Sequence, residues 1–104
     1  MTLATTVPPA EPCYVTIRDG YTTGFYAGDH VKVRAIVRDG RFAYVSWSGI
    51  MSGGQTIFRV RNGRWCKVGN GGGEMNVDDL VNYGVPRATA KRLYARMQRA
   101  GATR

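Results

Sequence analysis

The sequence predicts an α+β domain: a four-stranded antiparallel meander with a C-terminal helical pair packed on one face. Three observations predict it. Residues 31–38 alternate strictly, with Val31, Val33, Ala35 and Val37 on one side and Lys32, Arg34, Ile36 and Arg38 on the other, the period of a half-buried strand. An Arg-Asx-Gly-Arg pattern occurs twice, at Arg38–Arg41 and Arg61–Arg64. Asp39-Gly40 and Asn62-Gly63 suit two-residue type I′ turns, whose central residues need positive φ. Beyond Gly73 the apolar period becomes helical. At 104 residues one domain with its own core is expected.

Residues 1–12 hold three of the four prolines and no apolar period, so they read as a disordered arm ahead of a domain at 13–100, with 101–104 as a disordered tail. A short strand at Tyr14–Arg18, a turn at Asp19-Gly20 and an irregular return to Asp29 follow; a short helix competes for this stretch. In the first hairpin Val37 should pair with Phe42, Ala35 with Tyr44 and Val33 with Ser46, sharing one apolar face. In the second, Val60 should pair with Trp65 and Phe58 with Lys67 on one side, and Arg59 with Cys66 and Ile57 with Val68 on the other. Ser48–Gly54 reads as a wide connection that tucks Ile50 and Met51 under the sheet, in preference to a mobile binding loop. Gly69–Gly73 lacks the spacing of a phosphate-binding loop and reads as a flexible joint.

Asn76 is a candidate N-cap, and Asp78 and Asp79 fall in a first turn, where carboxylates oppose the helix dipole. Val77, Leu80, Val81 and Tyr83 make a short helix that Gly84 stops. Pro86 suits the start of a second helix, whose stripe of Ala90, Leu93, Tyr94 and Met97 should dock on the Val/Phe/Tyr face. Arg87, Lys91, Arg92, Arg96 and Arg99 lie outside that stripe.

Fifteen Lys and Arg against seven Asp and Glu give a formal net charge of +8, which attracts nucleic acid, acidic proteins or other polyanions without choosing among them. No stretch approaches the roughly 20 apolar residues of a membrane span. His30 is the sole histidine, so histidine-based metal clusters and Ser/His/Asp or Cys/His catalytic sets have little to draw on. Most carboxylates fall in turns or a helix start. No enzyme, cofactor, metal or small-molecule substrate is therefore expected. Cys13 and Cys66 allow one intramolecular bridge and alone make a poor metal site. The N-terminus lacks a signal-peptide pattern, which leaves a cytosolic protein or a mature exported form with an added Met1.

Two binding surfaces are candidates. The first is the sheet itself, where Arg34, Arg38, Arg41, Arg59, Arg61 and Arg64, with Trp47, would take an acidic protein or polyanion. Covering of the mixed Arg/aromatic face by the N-terminal segment competes with stacking of a single-stranded nucleic acid there. The second is residues 80–93, which follow the pattern of a helix-turn-helix. There Arg87, Thr89, Lys91, Arg92 and Arg96 would meet DNA.

Trp47, the run Ser52-Gly53-Gly54-Gln55, the strand Ile57-Phe58, Gly63-Arg64-Trp65, Gly71–Gly73 and Gly84-Val85-Pro86 together resemble a group of small exported bacterial proteins. Some of that group are labelled copper-uptake-associated, and cyanobacterial forms occur. The resemblance covers about half of the chain. It implies export, an antiparallel sheet with flanking helices, no catalytic residues, and a Cys13–Cys66 bridge formed in an oxidising compartment.

Overall fold

A computed structural model describes residues 13–22, 31–50 and 52–102. The expected arm at 1–12 and His30 lie outside the described residues. The elements are β1 (Cys13–Tyr14), α1 (Asp19–Thr22), β2 (Lys32–Asp39), β3 (Phe42–Ser48), β4 (Gly53–Arg61), β5 (Arg64–Gly71), α2 (Val77–Asn82) and α3 (Arg87–Ala102). The class is α+β as expected, but the antiparallel sheet has five strands, in the order β1-β5-β4-β3-β2. The extra strand is β1, which pairs with the edge of β5, placing Cys13 opposite Cys66 and Tyr14 opposite Trp65. A disulfide joins the two cysteines. Of the strand expected at 14–18 only Tyr14 is paired, residues 15–18 bend away from the sheet, and the short helix α1 stands in place of the expected turn at Asp19-Gly20. Residues 101 and 102, expected in a tail, complete α3.

The two hairpins use different turns. Asn62 and Gly63 both have positive φ (51° and 77°), as a type I′ turn requires. In the first hairpin Asp39 pairs with Phe42, so the loop is Gly40-Arg41. There only Gly40 has positive φ (58°), the pattern of a type II′ turn. The pairs become Val37 with Tyr44 and Ala35 with Ser46, two residues along from the expected register and so on the same face. A bulge at Arg34 then pairs Val33 with Trp47. One inserted residue flips side chains to the other face, and Val31 and Val33 accordingly pack on the second face, contrary to expectation. In the second hairpin three expected pairs hold, but Val68 is bulged and Ile57 pairs with Gly69.

Each face buries its own cluster. Tyr44 and Ile57 receive Leu80, Ala90, Leu93 and Met97 from the helices and Val85 from the turn between them. Of the expected stripe, Ala90, Leu93 and Met97 dock in this cluster, whereas Tyr94 is half-buried and not part of it; each large apolar side chain buried there contributes on the order of 2 kcal/mol. On the other face Ala43, Val45, Trp47 and Phe58 are covered by Ile17, in the turn ahead of α1, and by Tyr21 of α1. Asn76 caps α2 in a reciprocal capping box with Asp79. Parts of two glycine stretches expected as loops are strand: Gly53 and Gly54 open β4, and Gly69–Gly71 close β5. A Cβ on Gly54 would stand 2.2 Å from the carbonyl oxygen of Gly71, and one on Gly69 would enter the ring of Tyr83.

Two stability changes follow. Replacing Cys13 and Cys66 by serine removes a cross-link spanning 53 residues and should cost about 4 kcal/mol in urea unfolding; a loss below about 1 kcal/mol would show that the bridge constrains little. Gly54→Ala should cost ~3 kcal/mol, the upper end for overpacking, because backbone must yield.

Candidate binding surface at the hairpin end of the sheet

Both two-residue turns fall at one end of the meander, and they bring five arginines together. Arg41 ends the first turn and Arg59 lies in β4, the two joined where the Val60 amide donates to the Arg41 carbonyl (2.8 Å). Arg61 pairs directly with Arg64 across the second hairpin, a like-charge juxtaposition that costs stability. Arg41, Arg59, Val60, Arg61, Asn62 and Gly63 line an open recess of about 550 Å³. The Arg38 guanidinium lies over the Trp65 ring, 5.3 Å from its centroid, which fixes one cation beside the same tip.

Counter-charge is scarce there. Asp39 accepts from Arg92 Nε at 2.5 Å and Nη2 at 3.4 Å, and Arg96 approaches the same carboxylate at 3.5 Å. Arg96 also donates to the Arg38 carbonyl at 2.5 Å. Asp39 is thus occupied by helix arginines. Arg41, Arg59 and Arg64 make no ion pair among the described residues.

The same contacts decide what the helical pair presents. α3 lies along β2, with Arg92 and Arg96 turned to the sheet's tip and Thr89 Oγ1 accepting from Arg92 (3.3 Å). Arg87 is exposed but paired with Asp78 at 3.1 Å. Of the five residues expected to meet DNA, Lys91 alone is exposed without a side-chain partner among the described residues.

Two expected members of the sheet site stand apart. Arg34, on its bulge, donates to Ser48 Oγ (2.8 Å) at the opposite end. Trp47 is 6% exposed, faces Tyr21 and donates its indole N–H to Thr56 Oγ1 (3.0 Å). Its ring is therefore a core element with no open face for stacking. The Thr56 hydroxyl continues to Asn70 Oδ1 (2.5 Å), so a polar line crosses β3, β4 and β5 beneath the covered face. Ile50, expected under the sheet, is 71% exposed; Met51 lies outside the described residues.

A second polar cluster escaped the sequence reading. Gln55 Oε1 accepts from the Met75 amide (2.7 Å) and from the Tyr44 hydroxyl, which also lies 3.0 Å from the Met75 carbonyl. Burial first, and then the charge of Glu74, push the Tyr44 phenol well above its ordinary range. The sequence signal was a glutamine set at an inward strand position. Among the described residues no three His, Cys, Asp or Glu gather to hold a metal ion, and no helix is long and apolar enough to cross a membrane.

The Arg92 hydrogen bond holds the Asp39 carboxyl below its usual value; burial opposes it, and the charges of Arg92 and then Arg96 lower it further. A depressed carboxyl stabilises the fold above the unfolded pKa, near 3.9, and that stabilisation is lost as pH falls through the folded value. Carbon-detected titration of Asp39 should give a midpoint below the ordinary one. Arg92→Ala should raise it more than Arg96→Ala, and an ordinary midpoint in the parent protein would contradict the geometry. Comparison of the chain with protein-family models, curated proteins and solved structures finds no match in any of the three.

Proposed function

We propose that this chain is a non-enzymatic binding module whose hairpin end captures an acidic or polyanionic partner. The observation that carries the reading is the recess lined by Arg41, Arg59 and Arg61, with Arg64 paired across the hairpin from Arg61, Arg38 held over Trp65 at the same end of the sheet, and Asp39 already shared by Arg92 and Arg96. Arginine suits this task because its planar fork binds phosphate, sulfate or carboxylate oxygens in pairs. An excess of one sign on a +8 chain also steers an anionic partner to this end. The Cys13–Cys66 bridge supports a place in an oxidising compartment, in keeping with the resemblance to exported bacterial proteins.

DNA binding through Arg87, Thr89, Lys91, Arg92 and Arg96 is the second reading. It draws support from the α2–α3 pair and the exposure of Arg87 and Lys91. It is the weaker one, because binding would have to break the pairs that Arg92 and Arg96 make with Asp39.

Salt-titrated anisotropy with labelled polyglutamate, a sulfated oligosaccharide and a short DNA duplex tests both. The double change Arg59→Ala/Arg61→Ala should weaken polyanion binding by about tenfold or more and flatten its salt dependence, since fewer counterions are released. Arg87→Ala/Lys91→Ala should change affinity by less than about twofold. Absence of binding to all three probes at low salt would overturn the first reading. Loss that follows Arg87 and Lys91 would favour the second.

A further inference from the structure

At the end of the sheet opposite the arginines, a recess of about 290 Å³ lies between the helix-covered face and the last turns of α3. A second, adjoining recess shares Ser46, Gln55 and Glu74 with it. Gln55 is only 8% exposed, and its amide has a fixed orientation. Of the two ends of this amide the oxygen alone can accept from the Met75 N–H, which identifies the inward atom as Oε1. Tyr44 reaches the same oxygen. The NH₂ group of Gln55 makes no hydrogen bond among the described residues, and Gln55 lines both recesses. Gln55 thus has its acceptor side saturated inside the fold, while its NH₂ group faces the open recess and is free to donate there.

The groups beside it define what would satisfy it. Ser46 is the cross-strand partner of Gln55, and its hydroxyl engages no other described side chain or backbone group. Glu74 accepts from Gln98 Nε2 through Oε2 (2.6 Å), which leaves Oε1 open, and it makes no ion pair among the described residues. A carboxylate thus stands beside two donors, with Ala35 and Met97 supplying apolar wall. The volume corresponds to about ten water-sized groups and falls just below the range of pockets for drug-sized ligands.

We propose that this recess binds a small α-amino carbonyl compound of amino-acid size. Its ammonium sits on Glu74, and its carbonyl or carboxylate oxygen accepts from the Gln55 amide and the Ser46 hydroxyl. The ligand is held and not turned over, so the site is distinct from a substrate pocket and independent of the arginine end.

The test follows the side-chain amide resonances of Gln55 in the full chain by ¹H–¹⁵N NMR. L-alanine, L-serine and L-valine serve as probes, and N-acetyl-L-alanine and propionate as controls without an ammonium. At least one free amino acid should shift those resonances saturably, with both controls about tenfold weaker or more. Glu74→Gln, at an exposed position, should weaken the same amino acid similarly while leaving the backbone spectrum otherwise unchanged. The proposal is overturned if none of the three amino acids saturates, or if N-acetyl-L-alanine binds as well as L-alanine, a comparison that does not depend on any variant folding.

Discussion

Both faces of the two central strands are covered, and this constraint shapes the rest of the molecule. Ala43, Tyr44 and Val45 in β3, and Thr56, Ile57 and Phe58 in β4, have no exposed surface. Such strands leave no room for a charge, and each polar atom on them needs a partner because an unsatisfied buried group is expensive. Two devices meet the need. On the helix-covered face Gln55 takes the Tyr44 hydroxyl and the Met75 amide, which also ties the lead into α2 to the sheet. On the opposite face Trp47, Thr56 and Asn70 form a line across three strands. The disulfide then holds β1 to β5, keeping the segment that carries Ile17 and Tyr21 over the second face.

Excluded from the middle, charge collects at the ends. The hairpin tips carry the arginines, and Asp39 sits among them as the contact that seats α3. Burial of Ala90, Leu93 and Met97 drives the docking of that helix, while its pairs with Asp39 set which basic side chains turn inward. Because Arg92 and Arg96 take this carboxylate, it does not neutralise Arg41, Arg59 or Arg64, which make no ion pair among the described residues, and the proposed anion binding rests on that.

The features decided by local chemistry were legible in the sequence. Asn62-Gly63 announced its turn, Asn76 its cap, and the Ala90/Leu93/Met97 stripe the face it covers. The differences arise where distant contacts prevailed. Asp39-Gly40 has the same local signature as Asn62-Gly63, yet Asp39 stays in β2, facing α3, and the turn moves to Gly40-Arg41. The bulges at Arg34 and Val68 leave no mark in an alternating pattern, and the first of them reassigns Val31 and Val33 to the other face. Gly54 and Gly69 read as loop residues, whereas their role is to admit a neighbouring backbone and a tyrosine ring. Of the candidate site, the arginine-rich tips were visible in the repeated turn pattern. That Trp47 is buried and Arg34 sits at the far end depended on register. The Gln55 cluster depended on a partner twenty residues away.

The central claim is that the hairpin end is where a polyanion meets this protein. Backbone amide mapping during titration with a short polyanion, at a salt concentration that permits partial saturation, tests it most directly. The account predicts that the largest shifts fall at residues 38–42 and 59–64, with Lys91 and its neighbours in α3 little changed. Shifts concentrated at 87–96, with the hairpin tips unmoved, would contradict it.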